Sequence, residues 1–159
     1  MTRTRRLFGT NRRSRSRGQA LVEFALVAPI FFLLLFGIIE AGRFILYYQT
    51  LNNATREGAR YAIVHGSNSF CPSGPMPPGQ SPPTSCYDLP GARVVQQVKD
   101  SAFGVLGPNV VVTPTWGSTG NGRDSDVTVR ATYTYNTMVP LVPLPAITIS
   151  AESKLVINN

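Results

Sequence analysis

Between Phe24 and Ile39 the chain carries no charged residue, and twelve positions in that stretch are Leu, Ile, Val or Phe. The run is apolar on every side, so it reads as a helix surrounded by apolar material rather than an amphipathic surface helix. From Glu40 to about Val64 there is no proline, and Phe44, Tyr48, Leu51, Thr55, Gly58 and Ala62 recur at helical spacing. Ala54, Gly58 and Ala62 add a stripe of small residues that permits close approach of another helix or of a sheet. One long helix is therefore expected through both stretches, with Glu40 and Arg43 paired on one face and Arg56 and Arg60 both within reach of Glu57. Residues 66–91 are interrupted by Pro72, Pro75, Pro77, Pro78, Pro82, Pro83 and Pro90, which exclude regular structure. Asp88 then caps a second helix with Pro90 in its first turn. Val94, Val95, Val98, Ala102, Val105 and Leu106 form its apolar face, and Gly107-Pro108 ends it.

Beyond that point the period changes to two. Val110–Trp116 reads as a strand, and Gly117–Ser125 as a glycine-containing turn or flexible loop. Val127, Val129, Ala131, Tyr133 and Tyr135 alternate with Thr128, Arg130, Thr132 and Thr134, the pattern of a half-buried strand. A proline-containing crossing over 136–145 leads to a last strand marked by Ile147, Ile149, Ala151, Leu155 and Ile157. The expected fold is α+β. It has an N-terminal single-pass transmembrane helix extended into an amphipathic helix, then a second helix packed on a small antiparallel sheet of about three strands.

The membrane assignment rests on energy and length. Twelve large apolar side chains at about −0.3 to −0.6 kcal/mol each favour insertion by roughly 4–7 kcal/mol. Ala20–Ile39 as a helix is about 30 Å long, the thickness of the hydrocarbon core. Charge agrees. The net charge of +7 is carried entirely by Arg3, Arg5, Arg6, Arg12, Arg13, Arg15 and Arg17, so the remainder is neutral. A basic folded face, as nucleic-acid binding requires, is absent from the sequence beyond the tail. Arginines directly before an apolar run mark the cytoplasmic flank of a membrane segment. A cleaved secretory signal would need a small-residue cleavage site, and Ile39-Glu40-Ala41-Gly42-Arg43-Phe44 is a poor one. The helix is thus expected to be retained in the cell membrane, N-terminus cytoplasmic and C-terminal domain extracytoplasmic.

Cys71 and Cys86 are the only cysteines and bracket most of the proline-rich loop. On the outer side of a membrane they are expected to form a disulfide. Together with the single His65 they are too few for a metal site. The sequence offers no Ser/His/Asp or Cys/His set, no H-E-x-x-H and no P-loop. No catalytic residue, cofactor, metal or small-molecule substrate is expected.

The polar group that needs explaining is Glu23, which enters the apolar run. Five positions before it stands Gly18, in Arg17-Gly18-Gln19-Ala20-Leu21-Val22-Glu23-Phe24. A glycine, four residues and a glutamate at the mouth of a membrane helix is the layout of a type IV prepilin processing site. If the chain is cut after Gly18, Gln19 exposes a new α-amino group about one turn from Glu23, beside the partial positive charge of the helix N-terminus. Amine and carboxylate then pair within one subunit or between neighbours, giving Glu23 a role in registering adjacent helices.

The same residues, continued through Ala25-Leu26-Val27-Ala28-Pro29 and the later Glu57-Gly58-Ala59-Arg60-Tyr61-Ala62, resemble the TadE-like family over about 17–64. That family comprises pseudopilin-like proteins of the tight-adherence (Tad/Flp) pilus assembly system. The resemblance implies cleavage between Gly18 and Gln19 by a prepilin peptidase, with Glu23 in the glutamate position. It also implies partners in a Flp-type pilin, other pseudopilins, the inner-membrane assembly platform and membrane lipid, without nucleic acid. Phe24 stands where relatives often carry tyrosine, and an aromatic ring is kept. The expected organisation is a basic cytoplasmic leader at 1–18, a transmembrane helix at 19–40 and its extracytoplasmic continuation at 41–65. A disulfide loop at 66–91 and a helix plus β-meander at 92–159 complete it. The competing reading is a signal-anchored extracellular binding module without a pilus role, for which any membrane helix would serve.

Overall fold

A computed structural model describes residues 13–83, 86–138 and 145–158. Most of the basic leader and most of the crossing between the last two strands lie outside these residues. The architecture is α+β. Its elements are α1 (Arg13–Val64), α2 (Ala92–Leu106), β1 (Val111–Trp116), β2 (Asp126–Tyr135) and β3 (Ile147–Val156). The chain divides into two compact units, residues 1–39 and 40–159.

The described part of the first unit is helix. Its most apolar 18-residue window has a mean hydropathy of 2.6 and is wholly unburied. Leu21, Leu26, Ile30, Leu34 and Ile38 are each at least 60% exposed, so apolar side chains cover the cylinder all round. Pro29 sits within the helix without ending it. This is the one helix among the described residues long and apolar enough to cross a membrane, which fits a single-pass protein. In water, about four turns of Phe, Leu, Ile and Val side chains would stay exposed here, at a cost of about 25 cal/mol for each Å².

In the second unit, the end of α1 and the whole of α2 cover one face of a sheet with order β1-β2-β3, all antiparallel. Leu51, Ala54, Ala59 and Ala62 of α1 meet Val94, Val98, Ala102 and Leu106 of α2 over Val127, Val129, Ala131, Ile149 and Ala151 of the sheet. The core is built from small and β-branched side chains. Gly58 shows why: a Cβ there would collide with the Val98 side chain, with Val129 Cγ1 3.5 Å and Val94 O 3.6 Å away. The small-residue stripe therefore admits both a helix and a strand. In β2 the alternation is regular, with Val127, Val129, Ala131 and Tyr135 buried and Arg130 exposed.

Two details depart from expectation. Tyr48 is 48% exposed, and Tyr47, about 100° round the helix, takes the inward place. Tyr47 meets Tyr133 and Tyr135 edge-on, at centroid distances of 5.7 and 5.4 Å. In α2, Pro90 precedes the helix instead of entering its first turn. The N-cap is Gly91 in the left-handed region (φ 69°), and Asp88 reaches forward to accept hydrogen bonds from the Ala92 and Arg93 amides at 2.9 and 2.8 Å. Gly91 has this conformation where a side chain would strike the Trp116 ring, which Gly74 meets from the other loop strand.

The proline-rich loop is fastened rather than free. Ser73 bridges Asp88 in parallel, and the Ser73 hydroxyl donates to the Asp88 carboxylate at 2.9 Å. Asn121, from the loop after β1, is fully buried; its amide donates to Pro75 O at 2.7 Å and its side chain to Ser73 O at 3.2 Å. Cys71 and Cys86 are joined by a disulfide with Cα atoms 5.2 Å apart.

Two substitutions test this packing, with Trp116, the single tryptophan, as the fluorescent reporter of urea unfolding. Gly58→Val overpacks the α1–α2 contact and lowers stability by about 1–3 kcal/mol. Cys71→Ser opens a loop with a sequence separation of 15 and removes ~3 kcal/mol.

Candidate functional site

The glycine–glutamate motif lies on the exposed surface of α1. Gly18, Gln19 and Glu23 are all exposed, and no atom stands within 4 Å of where a Gly18 Cβ would be. Gln19 and Glu23 are four apart, so they share one helix face with Cβ atoms roughly 5–6 Å apart. Among the described residues Glu23 makes no ion pair or side-chain hydrogen bond. A carboxylate at the edge of an apolar helix with no partner among the described residues can accept from an amine or from a neighbouring subunit. The structure thus brings Gly18, Gln19 and Glu23 onto one short exposed segment. Cys71 and Cys86 belong to the second unit and take no part in it.

A second polar cluster begins at Glu40, the first residue after the apolar run. Glu40 accepts three donors: the Tyr135 hydroxyl at 2.5 Å, the Met138 amide at 3.2 Å and the Arg43 guanidinium at 3.1 Å. The Arg43 guanidinium lies 5.6 Å from both the Tyr47 and Tyr135 ring centroids, within cation–π range. Phe44 closes the cluster edge-on to Tyr135 at 5.5 Å. These contacts fasten the first turn of this unit's α1 segment to the end of β2. The Arg43 pairing was readable from spacing. Tyr135 and Met138 were not, since they lie 95 and 98 residues from Glu40. The available signal was a tyrosine ending the most regular strand, whose hydroxyl needs a partner when its ring is buried.

Burial, and then donation to Glu40, push the Tyr135 hydroxyl up to about 12. Arg43 is held above its ordinary value, chiefly by hydrogen bonding with Tyr47. Neither group is poised for proton transfer near neutral pH, so the cluster is a clasp and not an acid–base pair. His65 is tied locally, its Nδ1 2.9 Å from Tyr61 O and its ring stacked on Tyr61. Asp126 pairs with Lys154 at 3.0 Å, which holds its carboxyl below the usual range. No group of three or more His, Cys, Asp or Glu that could hold a metal ion occurs among the described residues.

The clasp carries a pH signature. Because the folded hydroxyl titrates above the unfolded value of about 10, its stabilisation is full below pH 10 and is lost as pH rises towards 12. Tyr135→Phe lowers the urea midpoint at pH 8 and flattens the fall in stability between pH 10 and 12. Ultraviolet titration of the tyrosinates then loses its latest-titrating component.

No curated protein and no solved structure matches the chain. The family model described as TadE-like protein matches residues 18–60, from the glycine of the motif into the amphipathic part of α1. Residues 18–60 are therefore similar to the TadE-like family, in the segment that carries the glycine–glutamate motif.

Proposed function

We propose that this protein is a membrane-anchored, pseudopilin-like component of Tad/Flp pilus assembly. A prepilin peptidase cuts it between Gly18 and Gln19, on the cytoplasmic side, and the helix stays in the bilayer with the α+β unit outside. The observation that carries the reading is the exposed Gly18-to-Glu23 segment within α1, just before the run that is apolar all round. The TadE-like match over 18–60 supports it.

Cleavage changes the electrostatics in a specific way. It removes all seven arginines of the tail, which carry the entire +7 excess, and leaves a chain with balanced side-chain charge. The positive flank that fixes orientation during insertion is then gone. In its place stands the α-amino group of Gln19, four residues from Glu23. In the low dielectric of a membrane edge, an amine and a carboxylate pair strongly, and between subunits the pair sets axial register. The partners are accordingly the peptidase, a Flp-type pilin, other pseudopilins, the assembly platform and lipid. The protein acts through helix packing and extracytoplasmic contacts.

Co-expression with the cognate peptidase followed by N-terminal sequencing of the membrane fraction tests the reading. The expected mature terminus is Gln19, and Gly18→Val leaves the full chain. An intact leader in the presence of active peptidase removes the processing step. Glu23→Ala, and replacement of residues 20–39 by an unrelated membrane helix, are expected to abolish pilus assembly while protein level and the Tyr135 titration stay unchanged. Survival of assembly after the helix exchange would favour the signal-anchored binding module.

A further inference from the structure

The two ends of the sheet differ in charge. At the end where β2 begins, Asp126 pairs with Lys154 at 3.0 Å, and Arg123 and Asp124 stand exposed in the loop before it. At the other end β2 stops at Tyr135 and β3 starts at Ile147, and the sequence carries no charged residue from Ala131 to Ala151. The described apolar residues that leave this end are uncovered. Met138 is 75% exposed and Ile147 40%, with Pro145 and Ala146 exposed beside Ile147. Val139 to Leu144 lie outside the described residues, and by sequence they are Val, Pro and Leu alone.

This end is also the one tied to Glu40. The Tyr135 hydroxyl and the Met138 amide both donate to Glu40 Oε1, at 2.5 and 3.2 Å. Glu40 follows Ile39, the last residue of the uncharged run, so it lies about 1.5 Å further along the α1 axis. With Ala20–Ile39 filling the hydrocarbon core, Glu40 stands at the boundary of that core. The polar layer beyond the boundary is about 5–8 Å thick on each side of a bilayer. A hydrogen bond of 3.2 Å to the Glu40 carboxylate therefore holds the Met138 backbone within that layer or at its surface. Ile147 is the register partner of Tyr135 and shares its face of the sheet, the face covered by the helices.

The groups around Glu40 suit such a boundary. Tyr47 and Tyr135 are rings with a polar tip, and amphipathic rings collect where hydrocarbon meets headgroups. The Arg43 guanidinium lies 5.6 Å from both ring centroids and pairs with Glu40 at 3.1 Å, so the pair brings no net charge. Arginine stems lie along apolar surface while the charged head stays in the polar layer. Water gives Met138 and Ile147 no compensation for their exposed area, and the headgroup–acyl boundary does.

We propose that this end of the sheet is a second membrane contact, in which Met138 and Ile147 enter the headgroup and upper acyl layer of the leaflet from which α1 emerges. The occupant is phospholipid. Continuity identifies it, since one residue, Glu40, both ends the apolar run and holds Met138. The inference rests on the reading of Phe24–Ile39 as a membrane span and adds to it. A lone helix tilts and turns in a bilayer, and anchors at the interface set its angle. With a second footing, the charged end of the sheet, about 30 Å away along β2, is turned from the bilayer.

Single cysteines carrying an environment-sensitive fluorophore read this contact in the full chain, reconstituted in vesicles of phosphatidylcholine and phosphatidylglycerol. The native cysteines are joined in a disulfide and do not take the label. Met138→Cys and Ile147→Cys are compared with Leu34→Cys in the apolar run and Arg123→Cys at the charged end. Urea unfolding read from Trp116 admits only variants that keep the native midpoint. The quenchers are iodide in water and nitroxide-bearing lipid. Iodide quenching at Met138→Cys and Ile147→Cys is expected to be at least about fivefold weaker than at Arg123→Cys, with quenching by nitroxide placed near the headgroup. Leu34→Cys is expected to be shielded from iodide and quenched by nitroxide deep in the acyl chains. With Leu34→Cys shielded, iodide access at Met138→Cys or Ile147→Cys equal to that at Arg123→Cys overturns the second contact and leaves the anchor standing. Iodide access at Leu34→Cys overturns the anchor, and the second contact with it. Shielding of Met138→Cys and Ile147→Cys without quenching by lipid overturns the proposal in favour of a protein partner.

Discussion

Everything in this protein follows from α1 having two kinds of surface along one helix. Over Phe24–Ile39 it is apolar in every direction, and among the described residues its large apolar side chains are exposed. From Glu40 to Val64 it narrows to a stripe that packs on protein. An uncovered apolar cylinder is stable only where the solvent is itself apolar. That requirement fits a single-pass helix in a bilayer. The polar groups are arranged accordingly. Glu23 lies exposed at one end of the run, and Glu40, at the other, is fully engaged by Tyr135, Met138 and Arg43.

The contrast between the two glutamates separates structural from functional use of the same side chain. Glu40 has its acceptors filled from its own chain and ties α1 to β2. Glu23 has none filled among the described residues, and it costs free energy wherever it meets hydrocarbon. Under the proposed cleavage after Gly18, the new amine of Gln19 would supply a partner of opposite charge about one helical turn from Glu23. The second unit has a core of alanine and valine, stapled by a disulfide and by Asn121.

Much of the fold could be read from periodicity. The change from helical to alternating pattern placed two helices and three strands in order, and β2 was plain because Val127, Val129 and Ala131 alternate with Thr and Arg. Long-range choices were less legible. The small stripe at Ala54, Gly58 and Ala62 announced close approach but not its object, because a missing side chain fits a helix and a sheet equally; the answer is both, through Val98 and Val129. Tyr47 and Tyr48 are adjacent and alike, and only the position of Tyr133 and Tyr135 decides which turns inward. Asp88 was legible as a cap, but the turn through Gly91 depends on Trp116 standing against it. Of the candidate site, the Gly18–Glu23 spacing was visible in the sequence because it is local. The Glu40 clasp was half visible, since Arg43 is a neighbour in sequence and Tyr135 is not.

The most direct measurement is the partition of the full chain between membrane and water. The account predicts that the protein floats with vesicles in a density gradient and stays with them through an alkaline carbonate wash. Recovery of folded, unaggregated chain in the aqueous supernatant would contradict it, because the large apolar side chains of Phe24–Ile39 are exposed among the described residues.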